Sequence, residues 1–116
     1  MSVKLYGLKN CDTCRKALKA LAAAGIAHEF VDVRADGVSQ DQIAAWATAL
    51  GWQPLLNTKS ATWRGLTDQD KADVDDAKAI ALMAEHPTLM KRPVIEASGG
   101  VTVGWTTDVQ TALGLS

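Results

Sequence analysis

Leu5-Tyr6-Gly7-Leu8-Lys9-Asn10-Cys11-Asp12-Thr13-Cys14-Arg15-Lys16 holds the only two cysteines of a 116-residue chain and places them at a change of secondary structure. The apolar run from Val3 to Tyr6 reads as a strand, a polar turn follows, and the cysteines open an alanine- and leucine-rich helix. That setting matters more than the C-x-x-C spacing. The thiolate is the reactive form of cysteine, and the unpaired N–H groups and dipole of a helix start favour it. Lys9, Arg15 and Lys16 push the Cys11 pKa down, while Asp12 opposes them. Cys14, Ala17, Leu18 and Leu21 share one helical face at the spacing of a core-facing stripe. Cys11 precedes that stripe and sits in the turn, open to solvent. Cys11 is therefore read as the attacking thiol and Cys14 as the resolving one.

Three other uses of two cysteines compete with this. A zinc site takes about four ligands, commonly in two paired halves; no second cysteine pair exists here, and His28 and His86 stand alone. A structural disulfide closing so short a loop gains little chain entropy. Two unreacted, half-buried cysteines remain a reading that spacing alone leaves open, and the strand–turn–helix setting weighs against it.

Composition narrows the class. A net charge of −1 with scattered basic residues gives no electrostatic footprint for nucleic acid. No apolar run approaches the roughly 20 residues of a membrane-spanning helix. The first residues lack a basic segment followed by an apolar one, so the expected location is the cytoplasm, a reducing compartment where C-x-x-C reads as redox chemistry. The length suits one domain, 1–116, expected to act as a monomer without direct nucleic-acid or membrane contact.

Along the chain, Gly25 is placed to end the first helix, and Ala27 to Val33 alternates like a second strand. Strand, helix and strand at this spacing form a βαβ unit with parallel pairing. His28, at the start of that strand, reads as a surface histidine. Ser39 with Gln42 forms a capping box for a helix that buries Ile43, Trp46, Ala47 and Leu50, closed by Gly51. Leu55, Leu56 and Trp63 flank a loop at Asn57 to Ser60, and Trp46, Trp52 and Trp63 read as packing residues. Thr67 starts another helical stretch, and the aspartates up to Asp76 read as solvated ahead of a helix ended by His86-Pro87. Pro87 to Met90 suits one helical turn. Pro93 to Ala97, a turn at Ser98-Gly99-Gly100, and Val101 to Trp105 read as a hairpin, after which Thr107 is placed to cap a last helix.

The predicted fold is thus α/β, a thioredoxin-like fold with a helical insertion, about 38–88, between a βαβ half and a ββα half. In that layout Pro93 opens the strand facing the redox turn, and the Arg92–Pro93 bond is expected to be cis, against a base rate of about 5–6%. Arg92 then presents a guanidinium beside Cys11. From the residues alone, a solvated surface charge is an equal reading of Arg92.

Taken together, Tyr6 to Thr13 with Lys16-Ala17, Gly51-Trp52 with Leu55-Leu56-Asn57, Thr62-Trp63-Arg64, Ala77-Lys78-Ala79 with Leu82-Met83, Lys91-Arg92-Pro93-Val94 and Val103-Gly104-Trp105 resemble the arsenate reductase/Spx family of the thioredoxin superfamily, most of all its YffB-like branch. The resemblance covers almost the whole chain. It implies Cys11 as nucleophile, Arg92 as the arginine that approaches it and Pro93 as the adjoining cis-proline. Thr13 and Arg15 fall where arsenate reductases have a Thr and an Arg. Two further arginines that hold the oxyanion in arsenate reductases would fall near Asn57 and Gly104, and neither position is basic here. Cys14 is not a cysteine in arsenate reductases, whereas Spx regulators have C-x-x-C.

Two functions follow from the resemblance. One is an enzyme, a thiol–disulfide oxidoreductase with no bound cofactor and glutathione as co-substrate. There Lys9, Asn10, Thr13, Arg15 and Pro93 line the glutathione site, and Arg92 assists Cys11 and Cys14. The other is an Spx-like redox regulator whose disulfide switches affinity for the RNA polymerase α subunit, with Gly51 at the polymerase contact.

Overall fold

The structure is a computed structural model and describes residues 2–97 and 100–115. The chain divides into two compact units, Met1–Asp36 with Arg92–Ser116, and Gly37–Lys91. In the first unit the chain runs β1 (Ser2–Gly7), α1 (Asp12–Ala23) and β2 (Ala27–Asp32), and returns at the far end with β3 (Val94–Ala97), β4 (Gly100–Val103) and α7 (Thr107–Ala112). The strands form one sheet in the order β2-β1-β3-β4. β1 pairs in parallel with β2, Leu5 opposite Phe30, and antiparallel with β3, Leu5 opposite Ile95. β3 and β4 pair antiparallel. The βαβ and ββα halves expected of the sequence therefore share one sheet.

Side-chain alternation along β1 and β3 decides the core. Val3, Leu5 and Ile95 meet Cys14, Ala17 and Leu21 of α1, and Val109 and Leu113 at the last helix, in one buried cluster. Leu18 packs at its margin. Burying a leucine such as Leu21 contributes about 2 kcal/mol, so the stripe that fixes α1 also fixes where its first turn points. The helix ends as its glycine predicts. Gly25, at φ 71°, donates to the Ala22 carbonyl, and Ile26 donates back to Leu21.

Three details differ from the sequence reading. β2 shows no alternation of burial; β1 is its one partner strand among the described residues, and edge strands need not bury one face. The last helix is capped by Thr106, whose side chain accepts from the Val109 N–H, with Thr107 already inside the helix. The predicted turn at Ser98-Gly99-Gly100 has its first two positions outside the described residues.

In the second unit α2 (Gln40–Leu50) and α6 (Asp76–Glu85) pack their apolar faces, Ile43, Trp46 and Ala47 on one and Ala79, Leu82 and Met83 on the other. Ser39 Oγ accepts from the Gln42 N–H at 3.2 Å, as the capping box predicts. Two one-turn helices flank the Asn57 loop, α3 (Trp52–Leu55) and α4 (Ala61–Arg64), with α5 (Asp68–Lys71) after them. The sequence reading placed only the loop between the first two, since a single turn is too short to display a period. Asp75, read there as solvated, caps α6 by accepting from the Lys78 N–H. Pro87–Leu89 forms the expected single turn, of 3-10 type.

Candidate active site

Everything at the two-cysteine turn is positioned by the end of β1 and the start of α1. Cys11 is the N-cap of α1, in extended conformation, and its N–H donates to the Leu8 carbonyl at 3.3 Å. Its sulfur sits at the first turn of α1, where the Cys14 N–H favours the thiolate. Cys11 is half-buried, whereas Cys14, one turn on, has no exposed surface. The two sulfurs are not bonded to each other in this structure.

Their electrostatics diverge. Burial pushes the Cys11 thiol up, but the Cys14 N–H, the Cys14 thiol and the hydrogen bond and charge of Arg92 together hold it below the ordinary value of 9.0. Burial dominates at Cys14; the Leu8 N–H pulls down, the neighbouring Cys11 adds to the rise, and the thiol is pushed up to about 11. One cysteine is thus set to ionise and its neighbour to stay protonated.

Arg92, not the local lysines, supplies the charge. The sequence reading assigned that work to Lys9, Arg15 and Lys16, opposed by Asp12, but the leading charge on Cys11 is that of Arg92. The physical reason is direction. All four are exposed, and Arg15 turns back so that its Nε donates to the Lys9 carbonyl at 3.0 Å while Nη1 lies 3.6 Å from Asp12. Arg15 thereby ties the Lys9-Asn10 turn to the helix. The side chains of Lys9, Asn10 and Thr13 project to solvent, with no hydrogen bond or ion pair among the described residues.

Arg92 lies against Cys11 at the entry to β3; the Arg92–Pro93 bond is cis, the geometry the layout predicts, and Pro93 is buried. The Pro93 carbonyl accepts from the Gly104 N–H at 2.8 Å. Gly104 sits at φ 86°, a conformation that glycine adopts without steric cost.

One contributor escaped the sequence reading. A Cβ placed on Gly7 would come within 3.0 Å of Cys14 Sγ and 3.3 Å of Cys14 Cβ. The glycine thus lets the second cysteine lie against the end of β1. The signal was present in Tyr6-Gly7-Leu8, where a glycine interrupts a strand, since such glycines often mark close approach. Among the described residues, no three His, Cys, Asp or Glu side chains gather as a metal site, and no helix is long and apolar enough to cross a membrane.

Comparison with known proteins agrees with this geometry. A solved structure of a YFFB protein is 41% identical, covers 95% of this chain and 96% of its own, and superposes with a TM-score of 0.90. An uncharacterized protein of Haemophilus influenzae is 43% identical over 103 residues, 89% of this chain and 90% of that one. The global transcriptional regulator Spx of Streptococcus pyogenes is 25% identical over 108 residues, 91% of this chain and 80% of the regulator. The model of the ArsC family matches residues 6–112, nearly the full length, and the chain belongs to the ArsC family.

Proposed function

We propose that this chain is a thiol–disulfide oxidoreductase that attacks with Cys11 and uses glutathione as co-substrate. The observation that carries the reading is the asymmetry of the pair, a half-buried Cys11 favoured as thiolate by Arg92 and a fully buried Cys14 held protonated. The Cys11 thiolate attacks one sulfur of a disulfide R–S–S–R′. A Cys11–S–S–R bond forms, the S–S bond of the substrate breaks, and R′–S⁻ leaves with the electron pair. A second thiolate then attacks the R sulfur and releases the Cys11 thiolate, or attacks the Cys11 sulfur, releases R–S⁻ and leaves Cys11 in a new disulfide.

Two thiols compete for that second step. Glutathione from solvent gives glutathione disulfide and free Cys11. Cys14 gives a Cys11–Cys14 disulfide and a free thiolate, after losing its own proton to solvent. Part of what keeps Cys14 protonated is the Cys11 side chain itself. Once Cys11 is bound in a mixed disulfide its charge is gone and that part vanishes, although the larger effect, burial, persists. The resolving thiol is therefore switched towards reactivity by the step that requires it. Lys9 and Arg15, exposed beside the turn, suit the carboxylates of glutathione, with Asn10, Thr13 and Pro93 completing the surface.

Arsenate reduction is the weaker assignment for this member of the family. An oxyanion cage needs several guanidinium groups, and position 104 holds a glycine in a left-handed conformation that an arginine would adopt only under strain. A redox regulator is the second reading, favoured by the C-x-x-C pair and the similarity to Spx.

The test is intact-mass spectrometry after exposure to glutathione disulfide, on wild type and Cys14→Ser. The variant should trap one glutathionyl group on Cys11, and the wild type should close its own disulfide. If neither protein reacts while folded, Cys11 is not an activated thiol and the enzyme reading fails. Capture of the RNA polymerase α subunit by the oxidised protein alone would put the regulator first.

A further inference from the structure

The helical unit holds a cavity of its own, about 480 Å³, lined by Trp52, Gln53, Leu56, Asn57, Thr58, Lys59 and Lys91. That volume lies in the range of small-molecule sites. Its frame is built before any ligand arrives. Two short segments, 55–57 and 89–91, run antiparallel: Asn57 donates to Leu89 O at 2.8 Å, Lys91 donates to Leu55 O at 2.7 Å, and Leu56 bridges Met90. The next turn is fixed as well. Asn57 Oδ1 accepts from the Lys59 N–H at 3.1 Å, Ser60 Oγ donates to Asn57 O at 2.8 Å, and Arg64 Nη1 donates to Lys59 O at 2.9 Å. Lys59 and Lys91 are thereby anchored through their backbones while their ammonium groups remain exposed.

The lining is one-sided in charge. It contains two lysines and no acidic residue, in a unit where acidic side chains outnumber basic ones seven to five between residues 37 and 91. Neither lysine has an ion-pair partner among the described residues. The half-buried Trp52 ring and buried Leu56 form an apolar wall, and the Trp52 indole N–H has no acceptor among the described residues. Two unspent cations, an unspent indole donor and an apolar wall complement a ligand that is anionic at one end and flat and apolar at the other.

We infer that this cavity binds a small organic anion, a carboxylate or phosphate ester carrying an aromatic or similarly flat group. Lys59 and Lys91 meet the anion, and Trp52 stacks on the flat part. All its lining residues lie in Gly37–Lys91, and the inference draws on none of the thiol chemistry proposed above.

The test is a titration of the full ¹⁵N-labelled chain with phenyl phosphate, followed through the Trp52 indole and Asn57 side-chain amide cross-peaks, with inorganic phosphate and phenol as companion probes. Phenyl phosphate is expected to move both peaks saturably at millimolar concentration or below, inorganic phosphate more weakly and phenol hardly at all. The Lys59→Met/Lys91→Met variant, altered only at exposed side chains, should lose about tenfold in affinity, the sum of two modest ion pairs. Trp52→Leu should weaken phenyl phosphate and leave inorganic phosphate unchanged. The Cys11→Ser protein should bind as wild type does, which separates this site from the redox reading. An unsaturable titration, undiminished affinity in the double lysine variant, or equal binding of inorganic and phenyl phosphate would each overturn the assignment.

Discussion

Gly7→Ala tests the close approach of β1 to Cys14. Gly7 is buried in β1, and its φ is not of the left-handed kind. On backbone grounds alone, then, alanine should be welcome. Replacing glycine where alanine fits stabilises by about 0.4–1 kcal/mol through the unfolded chain. Packing points the other way. The new methyl would lie within 3.0 Å of Cys14 Sγ and 3.3 Å of Cys14 Cβ, distances that force a shift. Cys14 cannot simply swing aside, because it has no exposed surface and packs with Leu5, Ala17 and Ile95. Overpacking of this kind costs about 1–3 kcal/mol, and offsetting the backbone gain leaves a net loss of about 1–2 kcal/mol.

A double-mutant cycle isolates the cause. Cys14→Ala removes the sulfur and so the worst contact, leaving only the tighter-than-usual approach to the Cys14 Cβ. Gly7→Ala should therefore be less harmful in the Cys14→Ala background than in wild type, with a coupling of about 1–2 kcal/mol. Urea unfolding of the four proteins, read by far-ultraviolet circular dichroism, measures it. A Gly7→Ala protein as stable as wild type, or strictly additive effects, would refute the close approach of β1 to Cys14.

Two further outcomes follow from the electrostatics. The pH profile of alkylation by iodoacetamide should place Cys11 below the ordinary 9.0, and Arg92→Met should move it upward; a profile that ignores the substitution would remove Arg92 from the site. For stability, the sign differs between the cysteines. Cys14 is raised to about 11 from 9.0, so its contribution is complete below pH 9 and is lost as pH rises towards 11, amounting to about 2–3 kcal/mol in all. Comparing wild type with Cys14→Ala over that window should show the wild type losing stability faster. Parallel curves would mean that the buried thiol is not held protonated. Cys11, lowered, works in the opposite sense and loses its contribution as pH falls through its folded value.

Much of the first unit was legible because its signals are local or periodic. The Cys14, Ala17 and Leu21 stripe needs only the helical period, and Gly25 needs only the end of that stripe. The cis Arg92–Pro93 bond followed from layout. What local reasoning missed lies at long sequence distance or in single turns. Lys9, Arg15 and Lys16 are near Cys11 in sequence, yet the charge that acts on it comes from Arg92, brought in by β3 pairing with β1. Proximity along a chain is a poor guide at a helix start, because exposed side chains there turn to solvent or, like Arg15, to a backbone carbonyl. Likewise α3 and α4 are single turns, and a lining such as Trp52 with Lys91 assembles only when residues 55–57 meet 89–91.

The same reasoning bears on why a second cysteine sits at position 14. A buried small apolar residue would satisfy that place in the stripe, and alanine already does so at Ala17. A cysteine there brings a sulfur that the strand must accommodate with Gly7, and its pKa is pushed up to about 11, so that it stays protonated at neutral pH. As a packing residue alone it needs a special neighbour and contributes only a small side chain to the core. As a latent nucleophile its burial has a use, because a protonated Cys14 leaves Cys11 free to meet substrate first and becomes easier to ionise once Cys11 is bound. On the proposed chemistry the cost of accommodating the sulfur at Gly7 falls on the fold, and the burial that imposes it is what would hold Cys14 back until Cys11 has reacted.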